Sequence, residues 1–262
     1  FIDCFENVGK GAAYAVNYGL KHVKTELVAI LDADSYPEKD AFSKAVQHFR
    51  QKNVAAVTAS ILVKNAETFI QRMQELEYIF IVWVRKLLEY IDSIYVTPGG
   101  LSIYRTKVLK RIGMFDVNNM TEDIEIAWRM LDKRYKIKMC LDARTYVIVP
   151  DTLKAWWKQR LRWNIGGIQT WLKYKTAFFN PKKGMLGWFV TPFFLSSMVL
   201  SLLGFSIFLA LLIKKIYGQV LFWIYSSSAH INPLTTYELL ISNLYLVFGV
   251  LIFGVSLIYV YV

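Results

Sequence analysis

Cysteine is scarce in this sequence. Cys4 and Cys140 are the only two, far apart and in no metal-type spacing, which argues against a disulfide scaffold and for a reducing compartment. His22, His48 and His230 are scattered, so histidine offers no ligand cluster and each reads as an ordinary core or surface residue. Acid is in short supply as well: 20 Asp and Glu stand against 31 Lys and Arg, a net charge of +11. Such an excess suits nucleic acid, an anionic membrane surface or a phosphorylated substrate. A hydrophobic share of 55% and a mean hydropathy of +0.33 choose among these, pointing to a membrane protein with a soluble part. The chain opens at Phe1 and closes inside an apolar run at Tyr261-Val262. A piece of a longer protein is therefore expected, with any signal peptide hidden upstream.

The soluble part alternates helix and strand. Gly9-Lys10-Gly11 opens a helix over Ala12 to Val23, and Leu27 to Leu31 reads as a buried parallel strand ending in Asp32-Ala33-Asp34-Ser35. Pro37 suits the first turn of a helix whose core face is Phe42, Ala45, Val46 and Phe49. Val54 to Val63 is a further strand, and the order predicts a parallel or mixed α/β sheet. Glu67 to Tyr90 reads as a long amphipathic helix too charged to span a bilayer. A turn at Thr97-Pro98-Gly99-Gly100 precedes a short strand, Leu101 to Tyr104. A helix over Thr121 to Tyr135 puts Ile124, Trp128 and Leu131 inward, followed by strands Lys136 to Met139 and Thr145 to Val149.

Two long runs lack charge: Met185 to Ile213 and Leu239 to Val262. Each is long enough to span a bilayer of ~30 Å hydrocarbon thickness. Lys173, Lys175, Lys182 and Lys183 put the N-terminal side of the first span in the cytoplasm, with Lys214 and Lys215 voting weakly the other way. The aromatic-rich stretch Gly218 to His230 is expected to be an interfacial segment between the spans. Three regions are thus expected: a soluble domain over 1–150, amphipathic interface helices over 151–184, and a transmembrane region over 185–262.

The stretch Asp151 to Gly167, DTLKAWWKQRLRWNIGG, organises the chemistry. At ~100° per residue, Leu153, Trp156, Trp157, Leu161, Ile165 and Ile168 share one broad apolar face, taken as the packing stripe. Gln159, Arg162 and Trp163 fall together on the far side. An amide, a guanidinium and an indole together suggest a site: Arg162 and Gln159 could hold a diphosphate, and Trp163 could stack on a sugar. A basic amphipathic helix on a membrane surface would also produce this pattern.

Asp32 and Asp34, closing a strand, lie where open α/β sheets bind ligands, and oxygen ligands of this kind suit Mg²⁺ or Mn²⁺. A turn with a helix N-cap explains them equally well. Thr121-Glu122-Asp123 reads first as helix capping, yet an acid fixed at a helix start can also take a proton from a hydroxyl nucleophile. Lys10, between two glycines, could meet a phosphate or nucleobase. Gly99 and Gly100 fit a plain turn or a substrate-facing loop.

The order D-x-D, T-E-D, Q-x-x-R-W, then apolar spans, resembles the processive, membrane-embedded family 2 glycosyltransferases that make cellulose, hyaluronan, chitin oligosaccharides and poly-N-acetylglucosamine. WKQRLRW from Trp157 to Trp163 and MTEDIEIAWRM from Met120 to Met130 look most like the bacterial poly-N-acetylglucosamine synthases. The resemblance covers roughly Phe5 to Gly167 and the spans beyond. It implies a GT-A domain, a Rossmann-like mixed α/β sheet, on the cytoplasmic face of the plasma membrane. Asp32 and Asp34 would hold a nucleotide diphosphate through Mg²⁺ or Mn²⁺. Asp123 would be the general base, with Glu122 beside it. Lys10, Asp32, Gln159 and Arg162 would bind the nucleotide-sugar, and Trp163, Gly99 and Gly100 the acceptor. The family's first nucleotide-binding Asp would lie upstream of Phe1.

The implied reaction is a single inverting displacement from a nucleotide-sugar, a UDP-sugar by family likeness, to a glycan hydroxyl, coupled to export. No Ser, Cys or His stands out as a nucleophile, which fits a route without a covalent intermediate. Besides the donor and the glycan acceptor, the expected partners are the lipid bilayer and, because two spans line a channel poorly, a further membrane subunit or a second copy. Nucleic acid is not among them. Transfer of one sugar to a polyprenyl phosphate shares the D-x-D and the anchor, but needs no acceptor clamp of the Q-x-x-R-W kind. A non-catalytic membrane scaffold would explain the charge, not the paired acids.

Overall fold

The structure, a computed structural model, describes Cys4, Glu6 and residues 11–228. Lys10, His230 and the apolar run Leu239 to Val262 lie outside the described residues. The elements in order are α1 (Ala12–His22), β1 (Leu27–Ile30), β2 (Ser35–Pro37), α2 (Ala41–Val46), β3 (Val54–Val63), α3 (Phe69–Tyr90), β4 (Ser102–Arg105), α4 (Thr106–Arg111), α5 (Glu122–Asp132), β5 (Lys136–Val147), α6 (Leu153–Lys173) and α7 (Thr191–Ser228). Residues up to Phe194 form one compact unit and those from Leu195 onward a second.

A mixed five-stranded sheet runs β1-β4-β3-β5-β2. The pair β3–β5 is parallel and every other pairing is antiparallel. Central β3 is nearly all apolar and nearly all buried, as a strand covered on both faces must be. β1 departs from expectation: it runs antiparallel to β4 and is only half-buried, since it ends the described sheet. Pro37 opens no helix but sits in the edge strand β2, where its missing N–H costs no ladder bond. α2 begins later, at Ala41, and buries Ala41 and Ala45, leaving Phe42 and Val46 exposed, while Phe49 is buried from the 3-10 turn Gln47–Arg50 that follows. The two strands expected after α5 are one, β5. Its register against β3 slips between Cys140 and Arg144, and Ser60 Oγ pins the irregularity by donating to Leu141 O at 2.9 Å.

α3 starts at a capping box: Gln71 N donates to Thr68 Oγ1 at 3.2 Å and Thr68 N to Gln71 Oε1 at 3.1 Å. α6 starts under the Thr152 side chain, which accepts from Ala155 N. The face of α6 taken from the sequence as its packing stripe is largely exposed, with Leu153 and Trp157 63% and 62% accessible and Leu161, Ile165 and Ile168 also open. The buried residues of α6 are Gly166, Gly167 and Thr170. Small side chains let a helix approach its neighbours closely, and they decide which side docks. A Cβ on Gly166 would lie 2.2 Å from Thr121 Oγ1, and one on Gly167 2.8 Å from Phe194 Cζ. Trp128 of α5 is fully buried in this junction, packed on Tyr174 and edge-on to Phe194.

In the region after α6, residues 186–225 form one helix long and apolar enough to cross a membrane, by length and composition. The helix continues through Lys214 and Lys215 to Ser228, so the stretch expected to form an interfacial segment is helical as far as it is described.

Candidate active site

The β1 strand ends at a loop that presents Asp32 and Asp34 to solvent. Asp32 N donates to Gly99 O at 2.8 Å, which draws the turn before β4 over the carboxylate. A Cβ on Gly99 would stand 2.4 Å from Asp32 Oδ2, so any larger residue would push the carboxylate from its place. Gly100 differs. It is buried, its Cβ direction points at Ile61 Cδ1 only 2.8 Å away, and its carbonyl accepts from Thr145 Oγ1 at 3.2 Å. Its surroundings are those of core packing. The Asp32 carboxyl titrates above the ordinary range: partial desolvation on the side covered by the Gly99 turn comes first, then repulsion from Asp34, with Arg162 acting in the opposite direction.

The same turn holds the start of α5. Thr97 donates through both N and Oγ1 to Asp123 O, at 3.2 and 3.0 Å, and Tyr104 OH donates to Thr97 O at 3.3 Å. Thr121 precedes α5 without making a side-chain cap. Instead, Asp123 Oδ1 accepts from Ile124 N at 2.9 Å. Burial pushes the Asp123 carboxyl up to about 6; Glu122 adds to the rise, while backbone N–H groups and Arg162 oppose it. A carboxyl poised near neutrality is suited to exchanging a proton.

α6 supplies the third side. Arg162 lowers both Asp32 and Asp123, so one guanidinium lies within electrostatic reach of the acid closing β1 and the acid opening α5. Gln159 Oε1 is buried without a hydrogen-bond partner. Trp163 is half-buried, and the Arg160 guanidinium lies 4.1 Å from its ring centroid. Arg160 is anchored in turn to Glu77 of α3. The acids and Arg162 therefore converge, while Trp163 is partly covered by Arg160.

Arg85 does not stand out in the sequence, where it is one of several charges on the long amphipathic helix over Glu67 to Tyr90. Arg85 is buried, and its NH1 has no hydrogen-bond partner. Burial pulls the guanidinium down to about 10, against the pull of Tyr95, Asp123 and Tyr78. A weak signal was present in the spacing: Gln74, Tyr78 and Arg85 fall on one line of α3, together with Ile81 and Leu88.

Among the described residues no group of three or more His, Cys, Asp or Glu could hold a metal ion. Asp32 and Asp34 alone are a two-oxygen set, the kind that Mg²⁺ or Mn²⁺ accepts when substrate phosphates complete its shell. Their mutual repulsion is what such a cation would relieve, so the pair fits the role.

The sequence matches the family described as "Glycosyl transferase family group 2" over residues 27–259. Poly-beta-1,6-N-acetyl-D-glucosamine synthases of Staphylococcus epidermidis and Staphylococcus aureus (strain COL) are 30% and 29% identical over 185 residues, 70% of this chain. The chain spans 44% of the length of those relatives. A mannosyltransferase of Pyrobaculum calidifontis, solved in complex with GDP-Man and Mn²⁺, shares the fold. Its TM-score is 0.52 at 20% identity, covering 84% of this chain and 63% of that one. The chain belongs to the group 2 glycosyl transferase family.

Proposed function

We propose that this chain carries the catalytic region of an inverting glycosyltransferase that moves a sugar from a nucleotide diphosphate donor onto a hydroxyl of a growing polysaccharide. The observation that carries the reading is the position of Arg162, which acts on both Asp32 and Asp123. A donor diphosphate lying by Asp32 and Asp34 would thus share a cation with the acid that faces the acceptor. Bound between the two aspartates, Mg²⁺ or Mn²⁺ would neutralise charge on the leaving diphosphate. Arg162 takes a share of that charge through paired N–H donors, and the unpartnered Gln159 amide oxygen is available to a donor hydroxyl. Asp123 accepts the proton of the attacking acceptor hydroxyl. Glu122 keeps that carboxyl basic, and Trp163 gives the acceptor ring a flat edge to rest on. No covalent sugar–protein intermediate is required.

The exposed apolar stripe of α6, with Phe80 and Trp83 of α3 also open at 61% and 57%, suits a bilayer surface. On this reading the helix over 186–225 anchors the catalytic region at the plasma membrane on the cytoplasmic side. Product length, coupling to export, a UDP-linked donor and a further membrane subunit or second copy belong to the same proposal. Purified full-length protein incubated with a panel of UDP- and GDP-sugars tests it. Release of nucleoside diphosphate should require Mg²⁺ or Mn²⁺ and disappear in Asp123→Asn, with polymer as product. Full activity in that variant overturns the base assignment; a single labelled sugar on lipid overturns polymer synthesis.

A further inference from the structure

Two residues past Asp123, the side chain of Glu125 is wholly buried yet surrounded by donors. Its Oε1 accepts from Lys173 Nζ at 2.6 Å, Tyr174 OH at 2.9 Å and Arg129 Nε at 3.1 Å, and its Oε2 takes a second Arg129 N–H. Arg129 is fixed by the carbonyls of Ile112 and Met114 at 3.1 and 2.7 Å, and Lys173 also reaches Asp116 at 2.6 Å. Along the same seam Asn119 Nδ2 donates to Thr170 Oγ1 at 2.9 Å and Met120 N to Gln169 Oε1 at 3.1 Å. Gly166 presses on Thr121 at the other end.

Stability alone does not explain this arrangement. Apolar side chains of similar volume often do as well as a buried ionic set, whereas removing one ionic partner is costly. What directional bonds add is register. A slip of one residue along α6 would shift it by ~1.5 Å and turn it by ~100°, carrying Arg162 away from both acids. We propose that Glu125, gripping Lys173 and Tyr174, is a positioning residue that sets the register of α6 and so places Gln159 and Arg162 over the donor diphosphate. This rests on the sugar-transfer reading for its effect on rate, not for its effect on the helix.

The test uses full-length protein in detergent, with Glu125→Gln, Lys173→Met and Gly166→Ala compared by donor kinetics and by hydrogen exchange over residues 153–174. Lys173 is partly exposed, so its variant should fold even if Glu125→Gln does not. Lys173→Met should raise the KM for donor by about ten- to a hundredfold while kcat changes far less, since misplacement near 1 Å costs on that scale. Exchange should rise along α6. Gly166→Ala should behave alike, and adding Thr121→Gly, which vacates the space a Cβ would enter, should restore it. Unchanged exchange and KM in an active protein sink the clamp and leave sugar transfer standing. Raised exchange in a protein inert toward every donor does the reverse. A loss of kcat that merely follows the folded fraction, without rescue by Thr121→Gly, also overturns the positioning role.

Discussion

Replacing Asp123 by asparagine should abolish turnover and at the same time make the protein more stable. In the folded chain the carboxyl titrates near 6, against an ordinary 3.8, chiefly because it is buried and then because Glu122 adjoins it. Its charged form is therefore disfavoured by folding. Each tenfold weakening of an acid corresponds to about 1.4 kcal/mol, so the penalty at pH 7 approaches about 3 kcal/mol. The sign follows from the direction of the change: a raised carboxyl costs nothing below the unfolded value, begins to cost as pH climbs past it, and costs most above about pH 6. Asparagine keeps the shape and never ionises. Melting of wild type and Asp123→Asn, without donor and in a chelator, should show the variant ahead at pH 7.5, with the gap cut to about half at pH 5. A variant that melts at or below the wild type at pH 7.5, or a gap indifferent to pH, would refute the burial argument. In the wild type the same group predicts a turnover limb falling tenfold per pH unit below about 6.

Gly99→Ala puts a methyl 2.4 Å from the Asp32 carboxylate, and the expected result is weaker Mn²⁺-dependent nucleotide binding by calorimetry with little change in melting. Arg162→Lys keeps one charge but loses the paired donors, so kcat/KM should fall by about tenfold or more. Arg162→Gln should also move the acid limb of the pH profile upward, because Arg162 holds the Asp123 carboxyl down. Asp32→Asn and Asp34→Asn should each remove the divalent-metal requirement together with activity, read as nucleoside diphosphate release. Trp128→Ala opens a hole in the α5–α6 junction and should cost about 3–5 kcal/mol in denaturant unfolding.

The acids were legible because their type and place are local facts: a carboxylate pair closing a strand, an acid opening a helix. The mixed sheet was legible in outline, but the direction of β1 was not, because an apolar run of four residues looks the same whichever way its neighbour points. α6 shows a deeper limit. Periodicity assumes that the apolar side turns inward, yet Gly166, Gly167 and Thr170 determined which side docked, through close approach that a hydropathy pattern does not register. The face bearing Gln159 and Trp163 is half-buried and Arg162 stays exposed, so the apolar stripe was not the side that docked. Arg85 was hidden for a similar reason, one charge on a helix carrying many. Its burial follows from the neighbours that α5 and the residues before β4 bring to it.

The turn over residues 97–100 receives the Asp32 amide at one end and supplies two donors to the Asp123 carbonyl at the other. Four residues thereby act as a ruler between the loop after β1 and the start of α5, and under the proposed reaction they set how far the leaving diphosphate stands from the attacking hydroxyl. On the sugar-transfer reading, an inserted residue there would shift the two acids relative to each other and so change the length of sugar that fits between them.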